Sequence, residues 1–127
     1  MDKIVRKMDW FQPYEFECRC GCGLGITEMD IELLGILDAI RWKLGKPIII
    51  NSAVRCIEHN LKVGGSYGSS HLNGLAVDIR ALEYRYRFDL LSIIMKHTGI
   101  NRIGIYDTFI HIDVDASKKE RVIWLGY

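Results

Sequence analysis

Between Ile31 and Leu44, apolar side chains return every three or four positions, at Ile31, Leu34, Leu37, Ile40 and Leu44. That spacing lines one face of a helix. Thr27 reads as its cap, with Glu28 and Asp30 in the first turn, where negative charge suits the helix dipole. Gly45 ends the helix and Pro47 forbids its continuation. Ile48-Ile49-Ile50 is a short β-branched run and predicts a buried strand. The polar stretch Asn51 to Asn60 then reads as a site-bearing loop on a rigid scaffold. Leu75 to Arg80 alternates with period two, which predicts a strand and turns Asp78 away from Leu75, Val77 and Ile79. Glu83 to His97 predicts a second helix with Phe88, Leu91, Ile94 and Met95 on one stripe, stopped at Gly99. Arg102–Tyr106 and Phe109–Asp115 predict a hairpin around Asp107-Thr108. In its second strand Ile110, Ile112 and Val114 face one way, and His111, Asp113 and Asp115 the other. Val122–Leu125 closes the sheet as an edge strand. Residues 1–26 read as an irregular lead-in whose Trp10, Phe11, Tyr14 and Phe16 cover the edge of the core. The pattern as a whole predicts an α+β fold: a small, mostly antiparallel sheet with helices packed on it.

Composition narrows the function. The 127 residues suit one domain, 1–127, and 49% hydrophobic content is enough for a core without a disulfide scaffold. Net charge is +1 and the basic residues are scattered, so no nucleic-acid footprint exists. No apolar run is long enough to insert in a membrane. Met1 to Lys7 lacks the apolar core of a secretion signal, so the expectation is synthesis in the cytoplasm. The chain is separately expected to be a monomer. Four cysteines leave three alternatives open. Cys18, Cys20 and Cys22 form a tight Cys-x-Cys-x-Cys run, unlike the paired Cys-x-x-Cys of a zinc ribbon, and Cys56 stands apart. They are free thiols, or one disulfide involving Cys56, or a second metal site. The glycines at 64, 65 and 68 do not make a phosphate loop, because no Gly-Lys-Ser/Thr follows.

The chemistry concentrates at Ser69-Ser70-His71-Leu72-Asn73-Gly74-Leu75-Ala76-Val77-Asp78 and at His111. Two imidazoles and a carboxylate suit a catalytic zinc with one open position. His71 on a loop and Asp78 and His111 on strands converge if those strands are neighbours. Asp113, two residues beyond His111 on the same face, is placed to orient that ring or to accept a proton from the attacking water. His97 ends a helix, where positive charge suits the dipole, and carries no chemistry.

Ser69-x-His71-x-x-Gly74-x-Ala76-x-Asp78 resembles the signature of the zinc D-Ala-D-Ala carboxypeptidases and phage L-alanyl-D-glutamate endopeptidases of the Hedgehog/DD-peptidase fold. Ser52-Ala53-Val54-Arg55 with His59-Asn60 is similar to an upstream family segment. Phe109-Ile110-His111-Ile112-Asp113 is similar to the closing strand of its small single-domain branch. Phe16-x-Cys18-x-Cys20-Gly21-Cys22-Gly23 is similar to the lead-in of phage and prophage members. The resemblance implies one zinc per chain on His71, Asp78 and His111. It implies that Arg55 binds a substrate carboxylate or the developing oxyanion, which its forked guanidinium suits. Ser69 would position substrate, and His59 would lie near the site, structurally or through substrate. The implied activity is hydrolysis of peptide bonds in peptidoglycan stem peptides, in a phage-type lysis setting that brings the enzyme to the cell wall.

One position departs from that pattern. Many relatives carry an acid three residues before the last histidine, and here that residue is Thr108. Asp113, and after it Asp107, are the candidates for general base. The rival expectation is a non-catalytic zinc module of the same fold that binds protein or cell wall.

Overall fold

The computed structural model describes residues 8–97 and 99–126. The first seven residues of the expected lead-in, on which the secretion-signal expectation rests, lie outside the described residues. Among the described residues three α-helices, α1 (Ile31–Leu44), α2 (Ile57–Lys62) and α3 (Tyr84–Lys96), accompany five strands. The strands are β1 (Ile50–Ser52), β2 (Ala76–Arg80), β3 (Arg102–Ile105), β4 (Phe109–Asp113) and β5 (Val122–Leu125). They form one sheet in the order β1-β2-β4-β3-β5, antiparallel except for the β3–β5 pair at one edge. The fold is α+β, as the hydrophobic pattern predicts.

The aliphatic face of the sheet is the core. Val77, Ile79, Ile110, Ile112 and Ile103 pack with Leu33, Leu37 and Ile40 of α1 and with Leu90 and Ile94 of α3. Each such side chain contributes about 1.5–3 kcal/mol by leaving water. Phe11 and Phe16 of the lead-in join this core, while Trp10 and Tyr14 stay exposed.

Several boundaries differ from the sequence reading. Asp30, not Thr27, caps α1, its side chain accepting from the Leu33 N–H at 3.0 Å. Residues Ile26–Glu28 form a separate 3-10 turn, in which the Glu28 carboxylate accepts from the Gly25 N–H at 2.7 Å. The first strand begins at Ile50, and β4 stops at Asp113. The stretch expected to be a loop holds α2, capped by the Cys56 thiol. Phe88 and Met95 are exposed, and the buried stripe of α3 is Leu90 and Ile94. Of the predicted stripe, Ile94 is buried and Leu91 packs partly buried against the core, whereas Phe88 and Met95 do not join it.

Strand register builds the other face of the sheet. Ser52 lies opposite Asp78, Asp78 opposite His111, His111 opposite Gly104, and Gly104 opposite Trp124. This is one lateral row across all five strands, and its side chains share a face. The row beside it, two residues along, carries Ala76, Asp113, Arg102 and Val122.

Candidate metal centre

Asp78 and His111 are cross-strand partners on β2 and β4. His71 reaches them from a 3-10 turn, Ser70–Asn73, that runs into β2. Ser69 starts the turn by accepting from the His71 N–H at 3.3 Å. Gly74 ends it with φ 69°, and a Cβ there would collide with the Glu28 carbonyl. Glycine is therefore required by both the left-handed backbone and the space. The turn is also tied to the segment after β1, through an Arg55 N–H to His71 carbonyl bond of 3.0 Å.

The protonation states follow from the partners. His71 Nδ1 lies 2.7 Å from the Ala53 carbonyl oxygen, so it must carry hydrogen, and its Nε2 lies 3.1 Å from Asp78 Oδ1. His111 Nε2 lies 2.8 Å from Asp113 Oδ2, and its Nδ1 lies 2.9 Å from the same Asp78 Oδ1. With both rings neutral and their outer nitrogens donating, both inner nitrogens present lone pairs to a carboxylate oxygen. Three acceptors facing one another repel unless a proton or a cation sits among them. The structure thus fits a bound cation, with one histidine oriented by a backbone carbonyl and the other by a carboxylate. The ligand atoms of His71, Asp78 and His111 all lie within 4.8 Å of one another. Their two imidazoles and one carboxylate are a donor set that zinc takes at open sites.

Burial acts to raise the Asp78 carboxyl, but hydrogen bonds from His111 and His71 hold it well below the usual carboxylate range. Burial acts to lower His111, and its contacts with Asp113 and Asp78 overcome that and raise it.

Arg55 flanks the cluster. Its guanidinium donates to Ser52 Oγ at 2.9 Å, Asn60 Oδ1 at 3.2 Å and Asp78 Oδ2 at 3.2 Å. The Asn60 side chain is itself held, donating to the Ser66 carbonyl at 2.9 Å. Asp113 is 1% exposed and pairs with Arg102 at 3.0 Å as well as with His111. Asp107 and Thr108 are exposed, and neither they nor His59 line the cavity over the cluster.

That cavity holds about 700 Å³ and is lined by His71, Asp78, His111, Ser69 and Arg55, among others. Its walls include residues that the sequence reading missed: Arg102, Tyr106, Lys118 and Trp124. Lys118 donates to Ser70 Oγ at 2.9 Å, and the Arg102 guanidinium lies 5.1 Å above the Trp124 ring. Gly104 makes room for that indole, since a Cβ would meet its ring atoms at 2.7 Å. Trp124 in turn lies against His111, ring centroids 5.3 Å apart. Three cations and two carboxylates thus border the cavity. Register alone brings Arg102 and Trp124 here, and no local motif announces either.

The model of one family, peptidase M15, matches residues 9–113. The chain belongs to the peptidase M15 family. M15 peptidases are zinc-dependent, in keeping with the donor set of His71, Asp78 and His111. No curated protein matches the chain. Among the described residues of this M15 peptidase, no helix is long and apolar enough to cross a membrane.

Proposed function

We propose that this M15 peptidase hydrolyses peptide bonds of bacterial cell-wall peptidoglycan, with zinc held by His71, Asp78 and His111. The observation that carries the reading is the convergence of three lone-pair donors at the floor of a cavity bordered by Arg55, Arg102 and Lys118. Zinc bound there supplies Lewis acidity, polarising a peptide carbonyl and acidifying water. The chain's own residues supply the rest. Arg55, anchored through Ser52 and Asn60, presents its guanidinium at the cavity, where it suits a substrate carboxylate or the charge that develops on the carbonyl oxygen. Ser69 holds the His71 turn and borders the substrate space. Stem peptides carry free carboxylates, which match a cavity with more cations than acids.

Asp113 is assigned to orienting the His111 ring, because its 2.8 Å contact sits on the nitrogen that faces away from Asp78. It is also the one carboxylate lining the cavity, among the described residues, that lies outside the metal set. Proton acceptance by the same group is therefore its second role in this proposal. The engagement of that carboxylate by Arg102 favours the rival reading, a zinc module that binds cell wall or protein without cutting it. The setting proposed is phage or prophage lysis, resting on the similarity of the Phe16 to Gly23 lead-in, with the whole chain acting as one domain.

The test pairs zinc analysis with mass-spectrometric digestion of purified peptidoglycan, using the wild type and His71→Ala. The wild type is expected to release defined stem-peptide fragments whose masses name the bond, and the variant none. Zinc at the histidine cluster without fragments would leave the binding module.

A further inference from the structure

A second group of potential ligands lies outside this site. Cys18, Cys20, Cys22 and Cys56 are free thiols, and their four Sγ atoms all lie within 4.8 Å of one another. Cys18 and Cys20 are 3.5 Å apart, as are Cys20 and Cys56. Four ligands at the Zn–S distance of about 2.3 Å occupy tetrahedron corners roughly 3.8 Å apart. The observed spacing is thus close to that of a tetrathiolate site, and none of the pairs is joined as a disulfide.

The backbone supports this arrangement. The loop closes through a Cys18 N–H to Leu24 carbonyl bond of 2.9 Å and a Gly21 N–H to Cys18 carbonyl bond of 3.1 Å. Gly21 and Gly23, with φ of 80° and 99°, reverse the chain between the thiols. The Cys56 N–H donates to Cys18 Sγ and the His59 N–H to Cys56 Sγ, both at 3.4 Å. Backbone donors on sulfur are what a thiolate requires when it carries charge. Cys18 is buried, whereas Cys20 and Cys22 are exposed, so the ion would sit at the surface with a path in.

We propose that these four cysteines form a closed structural site for a soft divalent cation, zinc by its donor set. The site fastens the lead-in to the residue that follows Arg55. Four sulfurs leave no open position, so the ion does no chemistry on substrate. Binding balances as one divalent cation taken up and up to four thiol protons released, with no change of oxidation state. Cys56 ends the connection from β1 that carries Ala53, the partner of His71, and Arg55, the partner of Asp78. The metal would thus anchor the scaffold behind the first cluster.

Zinc counting on the full chain, purified under reducing conditions, tests this. The wild type should carry two zinc ions per chain. Cys20→Ser with Cys22→Ser should lose one and His71→Ala the other. Cobalt loaded into His71→Ala should give the intense visible bands and sulfur-to-cobalt charge transfer of a tetrahedral thiolate site, lost when the cysteines are also replaced. This spectrum reads the site without any activity and shows that the folded chain forms it. A zinc that survives His71→Ala but not the serine pair upholds this proposal even if the peptidase reading fails. A single zinc lost in His71→Ala and kept in the serine pair overturns it, as does a reduced wild type whose four thiols all react freely with alkylating reagent. An intact mass short of thiol hydrogens after anaerobic purification, showing disulfides instead, would also overturn it.

Discussion

The histidine cluster and the cysteine cluster both gather residues far apart in the chain, but by different means. In the first, strand register sets Asp78 against His111, and each imidazole has its outer nitrogen committed, to the Ala53 carbonyl or the Asp113 carboxylate. Those groups belong to the sheet and to the segments hydrogen-bonded to it. In the second, three of the four sulfurs come from an irregular loop and bond chiefly to one another and to backbone N–H groups. One site is organised by the fold and the other would be organised by its ion. Removing the ion should therefore have opposite consequences: lost activity with an intact fold at the first, a loosened lead-in at the second.

The largest effect to expect is on catalysis. His71→Ala should bring peptidoglycan digestion to background while the far-ultraviolet circular dichroism and the cysteine-bound metal stay. Loss of both metals in this variant would show that the clusters are not independent. Asp113→Ala should come next. If the carboxylate orients His111, zinc affinity falls about 10–100-fold, and excess zinc restores the rate. If it accepts the proton, the rate stays about 10²–10⁴-fold low at saturating zinc. Titrating activity against buffered zinc separates the two.

The cysteine pair should act on stability more than on rate. Cys20→Ser with Cys22→Ser is expected to lower the melting temperature by several degrees and to open the 8–26 segment to limited proteolysis. An unchanged melting curve would say that the thiols contribute nothing to the fold. Gly104→Ala should cost about 1–3 kcal/mol by overpacking against Trp124, read by denaturant unfolding, with altered KM as the indole leaves His111. Phe88→Ala, on the exposed side of α3, should stay within about 0.5 kcal/mol of the wild type. It supplies the baseline for both clusters, and a loss of several kcal/mol there would contradict the exposed placement.

How far the sequence alone reached depended on how local the cause was. Helix α1, strand β2 and the β3–β4 hairpin were legible because each declares itself by periodicity and by the Gly or Asp that bounds it. The triad of His71, Asp78 and His111 was legible through its fixed spacing and its amphipathic strand. Asp30 displaced Thr27 as the helix cap because the Asp30 N–H is claimed by the Gly74 carbonyl at 2.9 Å, a contact from 44 residues along the chain. Helix α2 escaped because it has only six residues and a cysteine at its cap, with no repeat long enough to read. Asn60 rather than its neighbour His59 holds Arg55, and only the direction of each side chain on α2 decides that. Arg102 and Trp124 needed the register of three strands before either could be set beside His111.

The parallel edge strand has a consequence for what the enzyme admits. Trp124, Leu125 and Gly126 wall one side of the cavity, and among the described residues β5 pairs with β3 alone. An edge strand with one neighbour opens at lower free energy than the strands inside the sheet. Two of the candidate metal ligands, Asp78 and His111, stand on β2 and β4, which each have two neighbours, and His71 stands on the turn that leads into β2. A substitution at Leu125 would change how bulky a flanking group can enter, whereas Trp124 also lies against His111, ring centroids 5.3 Å apart. Substrate tolerance would be tuned by substitutions at Leu125, where they disturb the metal cluster least.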